Sequence, residues 1–272
     1  MNLIFQYYIG EQTPTVKASV DSFRRYCDKI GCLHHFSNNE SFIRNSVFHD
    51  SWATSMRYFF EMLRVVYDPI YDEYDKVMYC DSDILAMTDE NIFDIFTGEV
   101  GGVVEGDAQT QNDYLEGNRN VNDALPLTNP KMKKQLIQKF KSTNMPMVES
   151  KPPFSLYEHH MPFSINSGVV LWSREGRIKA RERFDRWEPF VYDSVKTNNM
   201  ERWMHDQLFI TGQIVKHGLD FQPLSPEWND NPTHYRHLNY PEDVPLKFWH
   251  YANWQGKDEM LQDREKYLDF FS

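Results

Sequence analysis

Lys76-Val77-Met78-Tyr79-Cys80-Asp81-Ser82-Asp83 joins an apolar run to a pair of carboxylates. Val77 to Cys80 reads as a buried strand, a short continuous apolar run bounded by polar residues. Read as extended backbone, Asp81 and Asp83 point to the same side, because side chains on a strand alternate with a period of two. Left alone the two would repel, and one would tend to keep its proton. A positive charge between them removes the conflict. The simplest candidate is a divalent metal bound by hard oxygen ligands, and such metals commonly carry a substrate's phosphates as well.

Outward from this stretch, predicted strands and helices alternate. Residues 2–8 read as a first strand. Thr13-Pro14 reads as an N-cap followed by proline at the first helical position, and Val16, Val20, Phe23, Cys27 and Ile30 then fall on one helical face. Residues 32–36 predict a second strand, 51–67 a helix, and Thr88 the cap of a short helix ending near Phe96. Strands follow at 101–105 and 165–172, helices at 174–197 and 203–217 with Gly218 as C-cap, a last strand at 248–251 and a closing helix at 258–271. This alternation predicts an α/β fold with a mainly parallel central sheet flanked by helices. Ligands of such sheets bind beyond the carboxyl ends of the strands, where Asp81 and Asp83 stand. The pattern weakens between 106 and 162, a stretch rich in Asn, Pro and Met with one predicted helix, Met132 to Lys141. The reading is therefore a single domain over 1–272 with a substrate-facing insertion at about 106–162.

A length of 272 residues fits one large domain with a sizeable core, and 40% hydrophobic with 15% aromatic residues marks a globular chain. The formal net charge of -11 excludes holding a polyanion by bulk electrostatics, so no nucleic-acid partner is expected. Cys27, Cys32 and Cys80 are an odd set without metal-ligand spacing, which argues against a disulfide framework. Met1-Asn2-Leu3-Ile4-Phe5 has neither the basic start nor the cleavage site of a signal peptide, and no apolar stretch approaches the roughly 20 residues of a membrane span. If Met1 is the true start, a cytoplasmic location is expected. Oligomeric state is not legible.

Five segments stand in order along the chain: Tyr79-Cys80-Asp81-Ser82-Asp83-Ile84-Leu85, Ile165-Asn166-Ser167-Gly168-Val169-Val170-Leu171-Trp172, His205-Asp206-Gln207-Leu208, Trp228-Asn229 and Trp249-His250-Tyr251. The set resembles the family 8 glycosyltransferases, the glycogenin and bacterial galactosyltransferase type, which have the nucleotide-sugar-binding fold called GT-A, a Rossmann-like sheet flanked by helices. The likeness covers most of the chain outside 106–162. It implies a transferase that moves a sugar from a nucleoside-diphosphate sugar, by default a UDP-sugar, to an acceptor hydroxyl on a glycan, protein or small molecule, with retention at the anomeric carbon.

By position, the resemblance implies that Asp81, Asp83 and His250 hold a manganese or magnesium ion, with Ser82 beside the diphosphate. Neutral imidazole is a good manganese ligand, and the ion neutralises charge on the departing diphosphate. Asn166 and Gly168 match the element lining the sugar pocket. Asp206 and Gln207 match the pair near the reacting carbon, the first binding hydroxyls, the second on the face where a retaining mechanism needs a nucleophile or an ion-pair stabiliser. An ordinary acidic residue in a first helical turn is the competing account of Asp206. Arg64, or Arg57 seven residues before it on the same helical face, is the candidate phosphate contact, Tyr7 and Tyr8 (with Gln6) the candidates for base and ribose, and Glu105 and Asp107 for sugar hydroxyls. Gly256 and Lys257 are the candidates for the family's glycine and lysine at the diphosphate, though they follow His250 at a wider spacing than the family's and no proline-tryptophan comes after. His34-His35 and His159-His160 point apart on extended chain and are not expected to chelate.

Two other readings stay open. A haloacid-dehalogenase-type phosphohydrolase also begins with a strand and Asp-x-Asp, but there the motif lies near the start of the chain and continues with Thr or Val, whereas Leu85 follows Ile84 here. A non-catalytic sugar-nucleotide-binding module would share the scaffold, although the candidate metal ligands are all present.

Overall fold

A computed structural model of the protein describes residues 1–39, 41–44, 57–104, 165–196, 205–230, 245–252 and 258–263. Six strands form the central sheet: β1 (Asn2–Tyr7), β2 (Leu33–Ser37), β3 (Lys76–Cys80), β5 (Val100–Val104), β6 (Ile165–Ser173) and β7 (Phe221–Leu224). Their order is β2-β1-β3-β6-β5-β7. β1 pairs in parallel with β2 and β3, and β5 with β7, while β6 is antiparallel to both β3 and β5. Five strands therefore run one way and β6 runs against them, a mostly parallel sheet as the alternation predicts. Two further strands, β4 (Ile84–Ala86) and β8 (Phe248–His250), pair antiparallel in a small sheet of their own.

Alternation along the strands feeds two apolar layers. Leu3, Phe5, Val77, Tyr79, Val170 and Trp172 face a layer completed by Phe60, Leu63, Phe190, Phe209 and Ile214. Ile4, Met78, Cys80, Val169 and Leu171 face the other, with Phe23, Tyr26, Phe93, Trp228 and Phe248. The second layer is covered by α1 (Pro14–Ile30), which starts as predicted: the Thr13 hydroxyl accepts from the Val16 amide at 3.3 Å. It stops at Gly31, whose φ of 71° suits glycine. Further helices among the described residues are α2 (Ser41–Arg44), α3 (Arg64–Tyr67), α4 (Ile92–Ile95), α5 (Arg174–Arg183), α6 (Trp187–Lys196) and α7 (His205–His217), and residues 258–263 are helical within the predicted closing helix.

Several predicted boundaries change. Asp81-Ser82-Asp83 is a turn between β3 and β4, not a continuation of the strand. The β3 ladder ends where the Asp81 amide donates to the Gly168 carbonyl at 2.8 Å, and the chain then turns to pair with β8. Residues 57–63 form a 3-10 helix leading into α3, and 51–56 lie outside the described residues. Asn91, not Thr88, caps α4, its side chain accepting from the Phe93 amide at 3.1 Å. The predicted single helix after β6 is two, because Phe184 takes an extended conformation and the Asp185 amide turns to the Gln213 side chain at 2.8 Å. The insertion at 106–162 lies outside the described residues. No helix among the described residues is long and apolar enough to cross a membrane.

Candidate metal centre and active site

Reversal of β6 builds the site. The parallel strands β1 and β3 end at one edge of the sheet, and the antiparallel β6 begins there. Register pairs Cys80 with Val169, so Asn166-Ser167-Gly168 extends past the end of β3, beside Asp81. The β4–β8 ladder sets Ile84 opposite His250, and the Tyr251 amide donates to the Asp83 carbonyl at 3.0 Å. Residues 81–83 are thus fixed on one side by the central sheet and on the other by the strand that carries the histidine.

Asp81, Asp83 and His250 converge, each offering a ligand atom within 4.8 Å of the others. His250 Nε2 stands 3.4 Å from Asp83 Oδ1 and 3.7 Å from Asp81 Oδ2. Cis ligands around a hard divalent cation with bonds of about 2.1 Å lie roughly 3 Å apart, so a small contraction closes this set on an ion. Two carboxylates and an imidazole also suit manganese or magnesium in ligand type. The residues fit the cation that the sequence leads one to expect. His250 is buried; burial opposes its charge, yet Asp83, and then Asp81 and Asp230, raise its pKa above the usual 6.5.

Neighbouring side chains hold these three. The Tyr79 hydroxyl donates to Asp81 Oδ1. Burial, and after it the Asp81 carboxylate, push the Tyr79 hydroxyl well above its usual range, so it stays a donor. Gln6 is fully buried and donates to the Asp81 carbonyl at 3.0 Å and to Ser19 at 3.0 Å, while its oxygen meets His34 Nε2 at 2.9 Å. Asn166 Oδ1 accepts from the Gly168 amide at 2.9 Å and from Asn229 Nδ2 at 3.0 Å, and Asn229 Oδ1 meets His250 Nδ1 at 2.8 Å. Gly168 is glycine for a steric reason: a Cβ there would lie 2.4 Å from His250 Cε1 and 2.7 Å from Nδ1.

Asp206 stands in the first turn of α7 and is buried. Burial, with the charge of Asp81, raises its pKa to about 7, against hydrogen bonds from Ser167 and from the amides of Asp206 and Gln207. The buried Gln207 Oε1 has no hydrogen-bond partner among the described residues.

Other candidates are engaged elsewhere or lie outside the described residues. Tyr7 stacks on Tyr79 at 5.7 Å and its hydroxyl donates to the Tyr58 carbonyl at 2.6 Å. Tyr8 continues β1, with its amide on the Ser37 carbonyl at 3.0 Å. Arg64 is buried against Glu61 and donates to Ser37 Oγ at 2.8 Å. Arg57 lies over the Tyr58 ring at 5.3 Å. Ser82 forms the tip of the acidic turn. His34 and His35 diverge as adjacent strand residues must, His35 Nδ1 meeting Tyr71 at 3.3 Å. Glu105, Asp107, His159, His160, Gly256 and Lys257 lie outside the described residues. The sequence reading gave no role to Tyr79, Ser167 or Asn229, although all three stand inside the quoted segments.

No protein-family model and no curated protein matches the chain. Solved structures do. The bifunctional glycosyltransferase WbbM, in its apo form, aligns with a TM-score of 0.52 at 13% identity, over 98% of this chain and 50% of that one. The galactosyltransferase LgtC, solved with donor and acceptor sugar analogues, aligns with a TM-score of 0.49 at 12% identity over 100% of this chain and 95% of that one. Mouse xyloside xylosyltransferase 1 gives 0.43 at 16%, over 94% and 98%. This chain spans about half the length of WbbM. The fold is the GT-A fold of glycosyltransferases, with the six-stranded, mostly parallel sheet flanked by helices.

Proposed function

We propose that this protein is a metal-dependent glycosyltransferase of the family 8 kind. It moves a sugar from a nucleoside-diphosphate sugar, by default a UDP-sugar, to an acceptor hydroxyl with retention. The observation that carries the reading is the convergence of Asp81, Asp83 and His250 at the edge where the parallel strands end. The glycosyltransferase fold supports it.

On this reading Asp81, Asp83 and His250 hold manganese or magnesium. When bound, the cation offsets the negative charge that develops on the departing diphosphate. Asp206 binds a hydroxyl of the sugar or acceptor from the start of α7. Gln207 directs its unpaired amide oxygen at the reacting carbon and stabilises positive charge there. Gly168 and Asn166 shape the wall of the sugar pocket, Gly256 and Lys257 approach the diphosphate with Ser82, and Tyr7, Tyr8 and Arg64 border the nucleotide. Most of the catalytic effect is positioning and electrostatics.

Donor hydrolysis across a set of nucleotide sugars with manganese tests the proposal before any acceptor is known. One UDP-sugar is expected to be cleaved to UDP and free sugar. Asp81→Asn or Asp83→Asn lowers that rate on the order of 100-fold or more. Undiminished turnover in excess chelator, or release of inorganic phosphate without UDP, contradicts it.

A further inference from the structure

Gly168, Asn166, Asn229 and His250 form a chain of hydrogen bonds whose direction is fixed at one end. The Gly168 amide can only donate, so the atom 2.9 Å from it is the Asn166 amide oxygen. That oxygen can only accept, so the Asn229 atom 3.0 Å from it is the donor Nδ2, which also faces the Asn166 carbonyl at 3.4 Å. Asn229 must then present its oxygen to His250 Nδ1 at 2.8 Å. An amide oxygen carries no proton, so Nδ1 is the nitrogen that bears hydrogen. The other ring nitrogen, Nε2, faces Asp83 and Asp81 and is the one free to offer a lone pair. Asn229 and His250 are only 2% and 5% exposed, so water is a poor substitute for this contact.

We infer that Asn229, braced by Asn166, is the positioning residue that fixes the tautomer and ring orientation of His250, turning Nε2 into the third ligand of the metal centre. The inference rests on the metal reading above and deepens it. Partners of this kind commonly govern metal affinity by 10- to 100-fold, because a misdirected ring must turn or exchange its proton before it binds. The glycine at 168 acts with the hydrogen bond: it leaves the space that the ring occupies, and Asn229 keeps the ring from flipping within it.

The test is manganese binding to the full chain without nucleotide sugar, read from the electron paramagnetic resonance signal of free manganese. Asn229→Leu keeps the branched four-atom side chain, at a somewhat larger volume, and removes the acceptor; binding is expected to weaken about 10- to 100-fold. Asn229→Asp keeps an acceptor toward Nδ1 and is expected to bind within about threefold of the unaltered protein or more tightly. Asn166→Ala leaves Asn229 in place but lets its amide turn over; a loss of several-fold is expected, and this variant carries the test should Asn229→Leu not fold. Wild-type affinity in Asn229→Leu overturns the inference, since the asparagine would then only fill space, as does an Asn229→Asp variant as weak as Asn229→Leu, since an acceptor facing Nδ1 would then not be what sets the affinity. If Asn166→Ala alone can be measured, unchanged affinity there overturns it. Failure of the unaltered protein to bind manganese sinks the metal reading and the inference with it, an outcome distinct from normal binding that the substitutions leave intact.

Discussion

Asp206 holds its proton up to about pH 7, where an unfolded aspartate has already lost its own near 3.8. Between those values the folded chain binds more protons than the unfolded one, so stability falls as pH rises and stays lowered above 7. The difference of about three pH units corresponds to a cost of at most about 4 kcal/mol. Asp206→Asn is therefore expected to raise the melting temperature of the metal-free protein at pH 8 and to change it little near pH 4, while transfer is lost. An equal effect at both pH values would show that this carboxyl is not strained by its surroundings. Asp206 was legible because it opens a helix in a recognisable segment. Its companions were not: Tyr79 and Asn229 act through contacts that only the folded chain creates, and Asn229 lies 21 positions from His250. Arg177 shows the same limit. It belongs to a helix rich in charge, yet it is fully buried and donates to the Trp172 and Tyr71 carbonyls at 3.1 and 2.9 Å.

Among the elements, the long, strongly patterned ones were legible. Helix α1 carries its cap, its proline and its terminal glycine in the sequence. Strands β4 and β7 were missed because three or four residues display little period and β7 contains Pro223, whereas the equally short β8 was legible in the aromatic run Phe248 to Tyr251. The split between α5 and α6 was missed because charged residues run through it, although Pro189 fits the first turn of a new helix. Helix α5 starts by accepting the Gly176 amide on Ser173 Oγ at 3.0 Å and sits tightly on the residue before β5. A Cβ on Gly176 would lie 2.0 Å from the Glu99 carbonyl oxygen, a backbone atom that cannot step aside. Gly176→Ala should cost about 1–3 kcal/mol and lower the melting temperature by roughly 3–10 °C, read by calorimetry, with manganese affinity of the folded fraction unchanged. An unaltered transition would mean the helix docks more loosely than its geometry requires.

At the scale of the whole molecule, the sheet order was only partly legible. Alternation predicts a mostly parallel sheet but cannot reveal which strand is reversed. The reversal of β6 matters most, since it brings Asn166, Ser167 and Gly168 to the edge where β1 and β3 end. A cation held there would clamp residues far apart in sequence, Asp81 and Asp83 with His250, and binding to the native state alone stabilises it. At about one hundred times the dissociation constant this linkage is worth about 2.7 kcal/mol, so manganese with UDP should raise the melting temperature by roughly 5–10 °C. Chelator should reverse the shift, and UDP without a divalent ion should produce little of it; an equal shift by UDP alone would show a nucleotide site independent of the acidic turn. The β4–β8 ladder has a consequence for biosynthesis. Asp83 precedes His250 by 167 positions, yet the end of β7, the last strand of the central sheet in chain order, precedes it by only 26, so during synthesis the sheet and the three convergent side chains become complete almost together.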